Sequence, residues 1–89
     1  MKAVITVTGK DTVGIIADVS AVCAEAGANI LEITQSVLSE YFAMIMLVDI
    51  DRLAYPFADF SDKLEALGKV RGLDIRAVHT EIFDAMHRI

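Results

Sequence analysis

The sequence is poor in cysteine, in basic residues and in long apolar runs. A single cysteine, Cys23, leaves no intrachain disulfide and is typical of a reducing compartment, so we expect a cytoplasmic protein. Eight lysines and arginines and 13 acidic residues give a net charge of −5, and the basic residues are scattered along the chain. Because no basic stripe is available to neutralise phosphates, we expect no nucleic-acid partner. No apolar run approaches the ~18 residues of a membrane span, and no apolar leader with a cleavage site opens the sequence. We therefore expect neither a membrane span nor a signal peptide.

The chain is nevertheless rich in apolar residues for its size. It has 89 residues, enough for one domain, and 55% of them are hydrophobic. A domain of this size buries only about 64% of the surface that its unfolded chain exposes. A chain with more apolar side chains than its own core can hold usually covers the surplus against a partner. We therefore expect residues 1–89 to form a single domain that assembles into a homodimer or a larger homo-oligomer.

The spacing of the apolar residues predicts four strands and two helices. Alternation marks the strands, and apolar residues three or four positions apart mark the helices. Asp11 or Thr12 is expected to cap the first helix, Gly27 to end it, and Gly68 or Gly72 to end the second. The predicted elements are a strand over residues 2–8, a helix up to Gly27, a strand over residues 29–38, a tight turn at Ser39 and Glu40, a strand from Tyr41 to Asp49 or Ile50, a helix begun by Pro56, and a strand over residues 73–82.

The order β-α-β-β-α-β predicts an α+β, ferredoxin-like fold. Right-handed crossovers place both helices on one face of a four-stranded antiparallel sheet. The third strand is apolar on both faces, although one face of an isolated two-layer domain should be polar. We therefore expect a second subunit to cover the sheet face that the helices leave free, with an interface that includes Phe42, Met44, Ile45 and Met46. The tail, residues 83–89, has apolar residues at helical spacing and is expected to form a helix that docks on a subunit.

The segment at residues 9–14, Gly-Lys-Asp-Thr-Val-Gly, joins the end of the first strand to the start of the first helix. The beginning of a helix presents free backbone N–H groups and a positive dipole end, both of which attract anions. Gly9 and Gly14 permit unusual backbone angles and the close approach of a ligand. This junction indicates a small-molecule binding site.

Other functions of ferredoxin-like folds lack their residues in this chain. The first loop has no Cys-x-x-Cys for a soft metal, no arginine for an acylphosphatase-like phosphate site, and no P-loop order of glycines and lysine. The strands lack the basic and aromatic residues with which RNA-recognition domains stack bases. Cys23 lies on an apolar helix stripe, and His79 and His87 have no evident catalytic partner. We therefore expect no enzyme activity, no metal and no cofactor.

Two motifs together resemble the ACT domain over essentially the whole chain. The first is the loop of residues 9–14 with Ile15, followed after a helix by Glu-Ala-Gly-Ala-Asn-Ile at residues 25–30. The second is the Phe-x-x-Met-His-Arg-Ile ending at residues 83–89, which is similar to short stand-alone bacterial and archaeal ACT proteins. These proteins in turn resemble the amino-terminal half of the glycine cleavage system transcriptional repressor. The resemblance implies regulatory binding of an amino acid or a similar small molecule at a subunit interface.

In amino-acid-binding ACT domains the ligand lies between the first loop of one domain and the second-strand region of its neighbour. By this resemblance, Asp11 stands where such domains often have Asn or Asp, and Asn29 is the polar residue that opens the second strand. Loop N–H groups would hold a carboxylate, and Asp11 and Asn29 would hold an ammonium group. The chain has Val13 where many ACT domains have proline. The implied ligand-binding residues are Asp11, Thr12, Val13, Gly14, Ile15, Asn29 and Ile30.

Each of these residues also has a purely structural interpretation. Asp11 is equally suited to cap a helix, Asn29 to satisfy a turn, and Gln35, a polar residue on an apolar strand face, to make a buried hydrogen bond. The sequence favours a homo-oligomeric amino-acid sensor that passes its ligand state to a regulated protein partner. The main alternative is an adaptor that uses the sheet face for assembly without a ligand, and an enzyme is third.

Overall fold

The computed structural model describes residues 1–86 and confirms the predicted order of strands and helices, and the helix expected in the tail begins earlier, at Thr80. Residues 87–89, which include the His87 and Ile89 of the predicted tail, lie outside the described residues. The elements are β1 (Lys2–Lys10), α1 (Ile15–Ala26), β2 (Asn29–Leu38), β3 (Tyr41–Asp49), α2 (Phe57–Arg71), β4 (Asp74–His79) and α3 (Thr80–Met86). The fold is the predicted ferredoxin-like one, because α3 only extends the βαββαβ order.

The four strands form one antiparallel sheet in the order β2-β3-β1-β4. The central strands are therefore β3 and β1, while β2 and β4 are the edges. Between β1 and β2 and again between β3 and β4 the chain crosses over through a helix, and α1 and α2 contact each other on the same face of the sheet. The other face of the sheet, which we call the open face, is not covered by these two helices.

The core lies between the helices and the sheet. Cross-strand partners point to the same face, so Ile5 of β1 and its partner Met46 of β3 both face the helices. Buried side chains of α1 and α2, among them Val19, Phe60 and Leu64, complete this layer. The largest fully buried side chains are Phe60, Ile5, Met44, Met46, Leu64, Val7, Val19, Val48 and Cys23.

The direction in which the side chains of β3 point decides which of them are available to a second chain, and it differs from the expectation. Phe42, Met44 and Met46 are buried inside this chain against its own helices, and Met46 has 0% of its surface exposed. Ile45 alternates with them, points to the open face and is 49% exposed. Of the four side chains assigned to an interface from the sequence, only Ile45 can therefore contact a partner.

The structure corrects the N-cap of α1 and decides between the two candidate ends of α2. Neither Asp11 nor Thr12 caps α1, because β1 continues to Lys10 and Gly14 occupies the N-cap in the left-handed conformation, at φ 88°. Gly27 ends α1 as predicted. The end of α2 lies at Gly72, at φ 71°, and Gly68 stays within the helix. A Cβ at Gly68 would lie 2.6 Å from the carbonyl oxygen of Leu73, so this glycine lets α2 pack closely on the chain that enters β4.

The last strand is shorter than predicted, because β4 ends at His79 and Thr80 begins α3. The hydroxyl of Thr80 donates a hydrogen bond to the carbonyl of Lys2, at 3.3 Å, which fixes the turn against β1. Ile82 and Met86 of α3 are exposed. Within residues 1–86, none of the helices combines the length and the apolar character that a membrane crossing requires.

Candidate functional site

The predicted binding segment forms a loop of residues 11–14 between β1 and α1, which we call the β1–α1 loop. At its start the N–H of Asp11 donates to the carbonyl of Glu40 in the β2–β3 turn, at 2.8 Å. At its end the carbonyl of Gly14 accepts the N–H of Asp18, at 3.0 Å, and this bond opens α1. The first N–H groups of a helix have no acceptor within the helix, so this loop delivers free donors to its surroundings.

A cleft of about 290 Å³ lies between this loop, the first turn of α1 and strand β2. It brings together four of the residues predicted to bind a ligand, namely Asp11, Thr12, Gly14 and Ile15. The other lining residues are Ile16, Ala17, Gln35, Val37 and Phe42. The cleft thus combines backbone donors, one carboxylate and an amide with apolar walls.

Three predicted residues do not line this cleft. The side chain of Val13 is 96% exposed and points into solvent. Asn29 and Ile30 lie at the opposite end of β2, because Asn29 pairs with Asp49 while the loop end of the sheet is at Leu38. Nine strand steps separate the two ends, which is roughly 30 Å at ~3.3 Å per residue. Asn29 lines a separate cleft with Gly27, Asp49, Asp51 and Arg52.

Gln35 and Val37 belong to the cleft although the sequence did not assign them to it. Gln35 pairs with Met44 and Val37 with Phe42, so both lie on the helix-bearing face of the sheet. They stay exposed because β2 is an edge strand that α1 does not fully cover. The signal for Gln35 was present in the sequence as the one polar residue on the apolar face of the strand.

The sequence also gave no sign of Arg71, which binds the β1–α1 loop from α2. Its Nε and Nη2 both lie 2.7 Å from Oδ2 of Asp18. Its Nη1 donates to the hydroxyl of Thr12, at 3.0 Å, and to the carbonyl of Val13, at 2.9 Å. An arginine in the last turn of a helix is common, and its partners lie more than 50 residues away in the chain, so no local pattern marks it.

Cys23 and His79, two side chains that the sequence offered for chemistry, are both packed into the fold. Burial raises the pKa of the Cys23 thiol from 9.0 to about 11, so this thiol is protonated at neutral pH and is a poor nucleophile. The ring of His79 packs on Phe57, with 4.2 Å between ring centroids. Among residues 1–86 there is no group of three or more His, Cys, Asp or Glu side chains placed to hold a metal ion. The residues that line the cleft offer hydrogen bonds and apolar contacts.

Known proteins match both the sequence and the fold. A family model of the ACT domain matches residues 2–78. A UPF0237 protein of Clostridium acetobutylicum is 46% identical over 89 residues, which are the whole of both chains. Among solved structures, an ACT domain protein from Streptococcus pneumoniae superposes with a TM-score of 0.81 at 44% identity and 98% coverage of each chain. A protein assigned as a glycine cleavage system transcriptional repressor gives a TM-score of 0.73 at 25% identity, over 86% of this chain and 44% of that protein.

Proposed function

Because this chain belongs to the ACT domain family, we propose that it is a regulatory module that binds a free amino acid between two copies of itself. The observation that carries this proposal is the cleft between the β1–α1 loop and β2, which gathers Asp11, Thr12, Gly14 and Ile15. The similar fold of a protein assigned as a transcriptional repressor supports a regulatory role.

The cleft suits a small zwitterion. The free N–H groups at the start of α1, beside Gly14 and Ile15 of the cleft, bind a carboxylate. Asp11 and Gln35 supply oxygen acceptors for an ammonium group. Val37 and Phe42 form an apolar wall for a side chain, and a volume of about 290 Å³ limits the ligand to a small molecule.

A second copy of the chain completes the site through the outer edge of β2. This edge has ten residues and no lysine, arginine or proline; its protection from pairing is limited to one charge, Glu32, and a register shift beside it, both near one end. Ile33 and Val37 are 41% and 54% exposed on its helix-bearing face. Two such edges paired antiparallel about a two-fold axis at the strand centre would set Asn29 of the partner subunit opposite Leu38, at the end of the sheet where the β1–α1 loop lies. This arrangement would unite Asn29 with the loop from which it is separated within one chain.

A thermal-shift screen of the proteinogenic amino acids, followed by calorimetry, tests the proposal. A ligand that binds the native state raises the melting temperature, and it should also strengthen self-association in sedimentation experiments. The substitution Gly14→Val should abolish binding by straining the loop, because valine disfavours a φ of 88° and its Cβ would lie 2.8 Å from Nη2 of Arg71. Asn29→Ala should weaken binding by roughly 1–3 kcal/mol, the usual effect of leaving a buried polar group unpaired.

A mixing experiment distinguishes a shared site from one that lies within a single chain. In a heterodimer of the Gly14→Val and Asn29→Ala variants, one of the two sites combines an intact loop with an intact Asn29. Random exchange of subunits should therefore restore tight binding at about a quarter of all sites, since half of the dimers are mixed. No recovery on mixing, with exchange verified by mass, would contradict a shared site.

The alternative is an adaptor that assembles without a ligand. It is favoured by the open face, where Ile45 stands exposed between its cross-strand partners Thr6 and Thr34. Self-association that depends on Ile45, together with the absence of any thermal shift in a broad metabolite screen, would support the adaptor over the sensor.

A further inference from the structure

We infer that Arg71 is a positioning residue for the amino-acid cleft and holds the β1–α1 loop in its binding shape from the end of α2. Arg71 is not among the residues that line the cleft, so it acts on the loop and not on the ligand. The effect of Arg71 on ligand binding rests on the proposed function, whereas its hold on the β1–α1 loop does not.

Arg71 contacts the middle of the loop and the first turn of α1, which follows the loop. Nε and Nη2 converge on Oδ2 of Asp18, in the first turn of α1, while Nη1 reaches the Thr12 hydroxyl and the Val13 carbonyl. The arginine side chain is only 21% exposed. A forked, partly buried arrangement of this kind is stronger than an exposed ion pair, because guanidinium hydrogen bonds are charge-assisted and fixed in direction.

The loop needs such a contact because its tip has little other support. Val13 is 96% exposed, and an exposed loop tip is usually mobile. Backbone bonds fix Asp11 before the tip and Gly14 after it. Between them, within residues 1–86, the hydrogen bonds that reach Thr12 and Val13 come from Arg71.

Gly14 makes room for this arginine. A Cβ at Gly14 would lie 2.8 Å from Nη2 of Arg71, too close for the guanidinium to stay where it is. Gly14 therefore serves two purposes, since its φ of 88° also starts α1. Both charges also suit the helix dipoles. Asp18 is negative and lies in the first turn of α1, and Arg71 is positive and lies in the last turn of α2.

Backbone ¹⁵N order parameters of the Arg71→Met variant test the hold on the loop without any ligand. We expect values of about 0.85 at Thr12, Val13 and Gly14 in the native protein, and values below about 0.6 in the variant, with the strands unchanged. Lys63→Met is the matched control, because it removes a cation of the same helix that pairs only loosely, at 3.5 Å, with the exposed Glu25. A loop as rigid in Arg71→Met as in the native protein would overturn the inference.

Titration of the same samples with an equimolar mixture of the proteinogenic amino acids tests the consequence for binding. Amide shifts at Gly14 and Ile15 should show an apparent affinity at least ~10-fold lower in Arg71→Met than in Lys63→Met, as expected when hydrogen bonds to a charged group are lost. Arg71→Lys should fall between them, because an ammonium keeps the charge but cannot fork. Equal affinity in Arg71→Met and the native protein would overturn the positioning role. If no sample shows shifts, the proposed function fails, and the order parameters alone decide whether Arg71 holds the loop.

Discussion

The substitutions Gly14→Ala and Gly72→Ala form a matched pair that measures how strongly Arg71 depends on Gly14. Both glycines have left-handed backbone angles, at φ 88° and φ 71°, so both substitutions place an alanine in a strained conformation. This strain alone is about 1–2 kcal/mol at each position. The surroundings differ, because a Cβ at Gly72 meets nothing within 4 Å, whereas a Cβ at Gly14 would lie 2.8 Å from Nη2 of Arg71.

We therefore expect Gly72→Ala to lower the free energy of unfolding by about 1–2 kcal/mol and Gly14→Ala by about 2–4 kcal/mol. The additional loss comes from the hydrogen bonds that Arg71 gives up when it moves, reduced by partial solvation of its head group. Urea unfolding followed by circular dichroism, at one fixed protein concentration, measures both values. For a domain of this size each kcal/mol also lowers the melting temperature by about 4–8 °C.

A double-mutant cycle isolates the contribution of Arg71 from the strain. In an Arg71→Met background the close contact is gone, so Gly14→Ala should lose its excess over Gly72→Ala. The reasoning is refuted if the two alanine substitutions are equally destabilising in the native background. It is also refuted if the excess survives in Arg71→Met, because the contact would then not be its cause.

Two further predictions concern the core and the open face. Cys23 should react slowly with alkylating agents in the native state, because burial raises the pKa of its thiol from 9.0 to about 11. The free energy of unfolding should also fall as the pH rises from 9 to 11, since the thiol ionises at lower pH in the unfolded chain than in the folded one. In Cys23→Ala this part of the fall should be missing. The rate of alkylation and urea unfolding over that pH range measure the two effects, and rapid labelling of the folded protein would disprove the placement of Cys23 in the core. Met46→Asp should unfold the chain because it places an unpaired charge in a fully buried position, whereas Ile45→Asp should leave the fold intact and should lower self-association only if the open face, and not the β2 edge, is the contact. Circular dichroism and sedimentation separate these outcomes, and a folded Met46→Asp or an unfolded Ile45→Asp would show that the two faces of β3 have been exchanged.

Helix ends depend on more than local residue preferences, as the wrongly predicted N-cap of α1 and the undecided end of α2 show. Asp11 and Thr12 are good capping residues, but the β1–β3 pairing continues to Lys10 and leaves only a short turn before Ile15. Gly68 looks like a helix end, but α2 continues past it because the close approach to Leu73 requires a residue without a side chain. In both cases a contact distant in sequence outweighed the local preference.

The candidate site was foreseen only in part for the same reason. The loop is a contiguous segment, and its glycines and its place between a strand and a helix were legible from residues 9–14 alone. Gln35 entered the cleft because β2 is an edge strand, which follows from the sheet order and not from its own pattern. Arg71 became part of the loop's support because the end of α2 lies beside the start of α1.

The sequence by itself determined the order of the elements, the ferredoxin-like fold and the position of the β1–α1 loop, because alternation, helical spacing and glycines act over a few neighbouring residues. Only the tertiary structure decided which face of β3 is buried, because both faces are apolar and the helices can cover one of them. It also decided that Asn29 lies roughly 30 Å along β2 from the loop, since a strand advances ~3.3 Å per residue and keeps its two ends apart. Distances between segments depend on how strands pair and helices cross, and no local pattern in the chain specifies them.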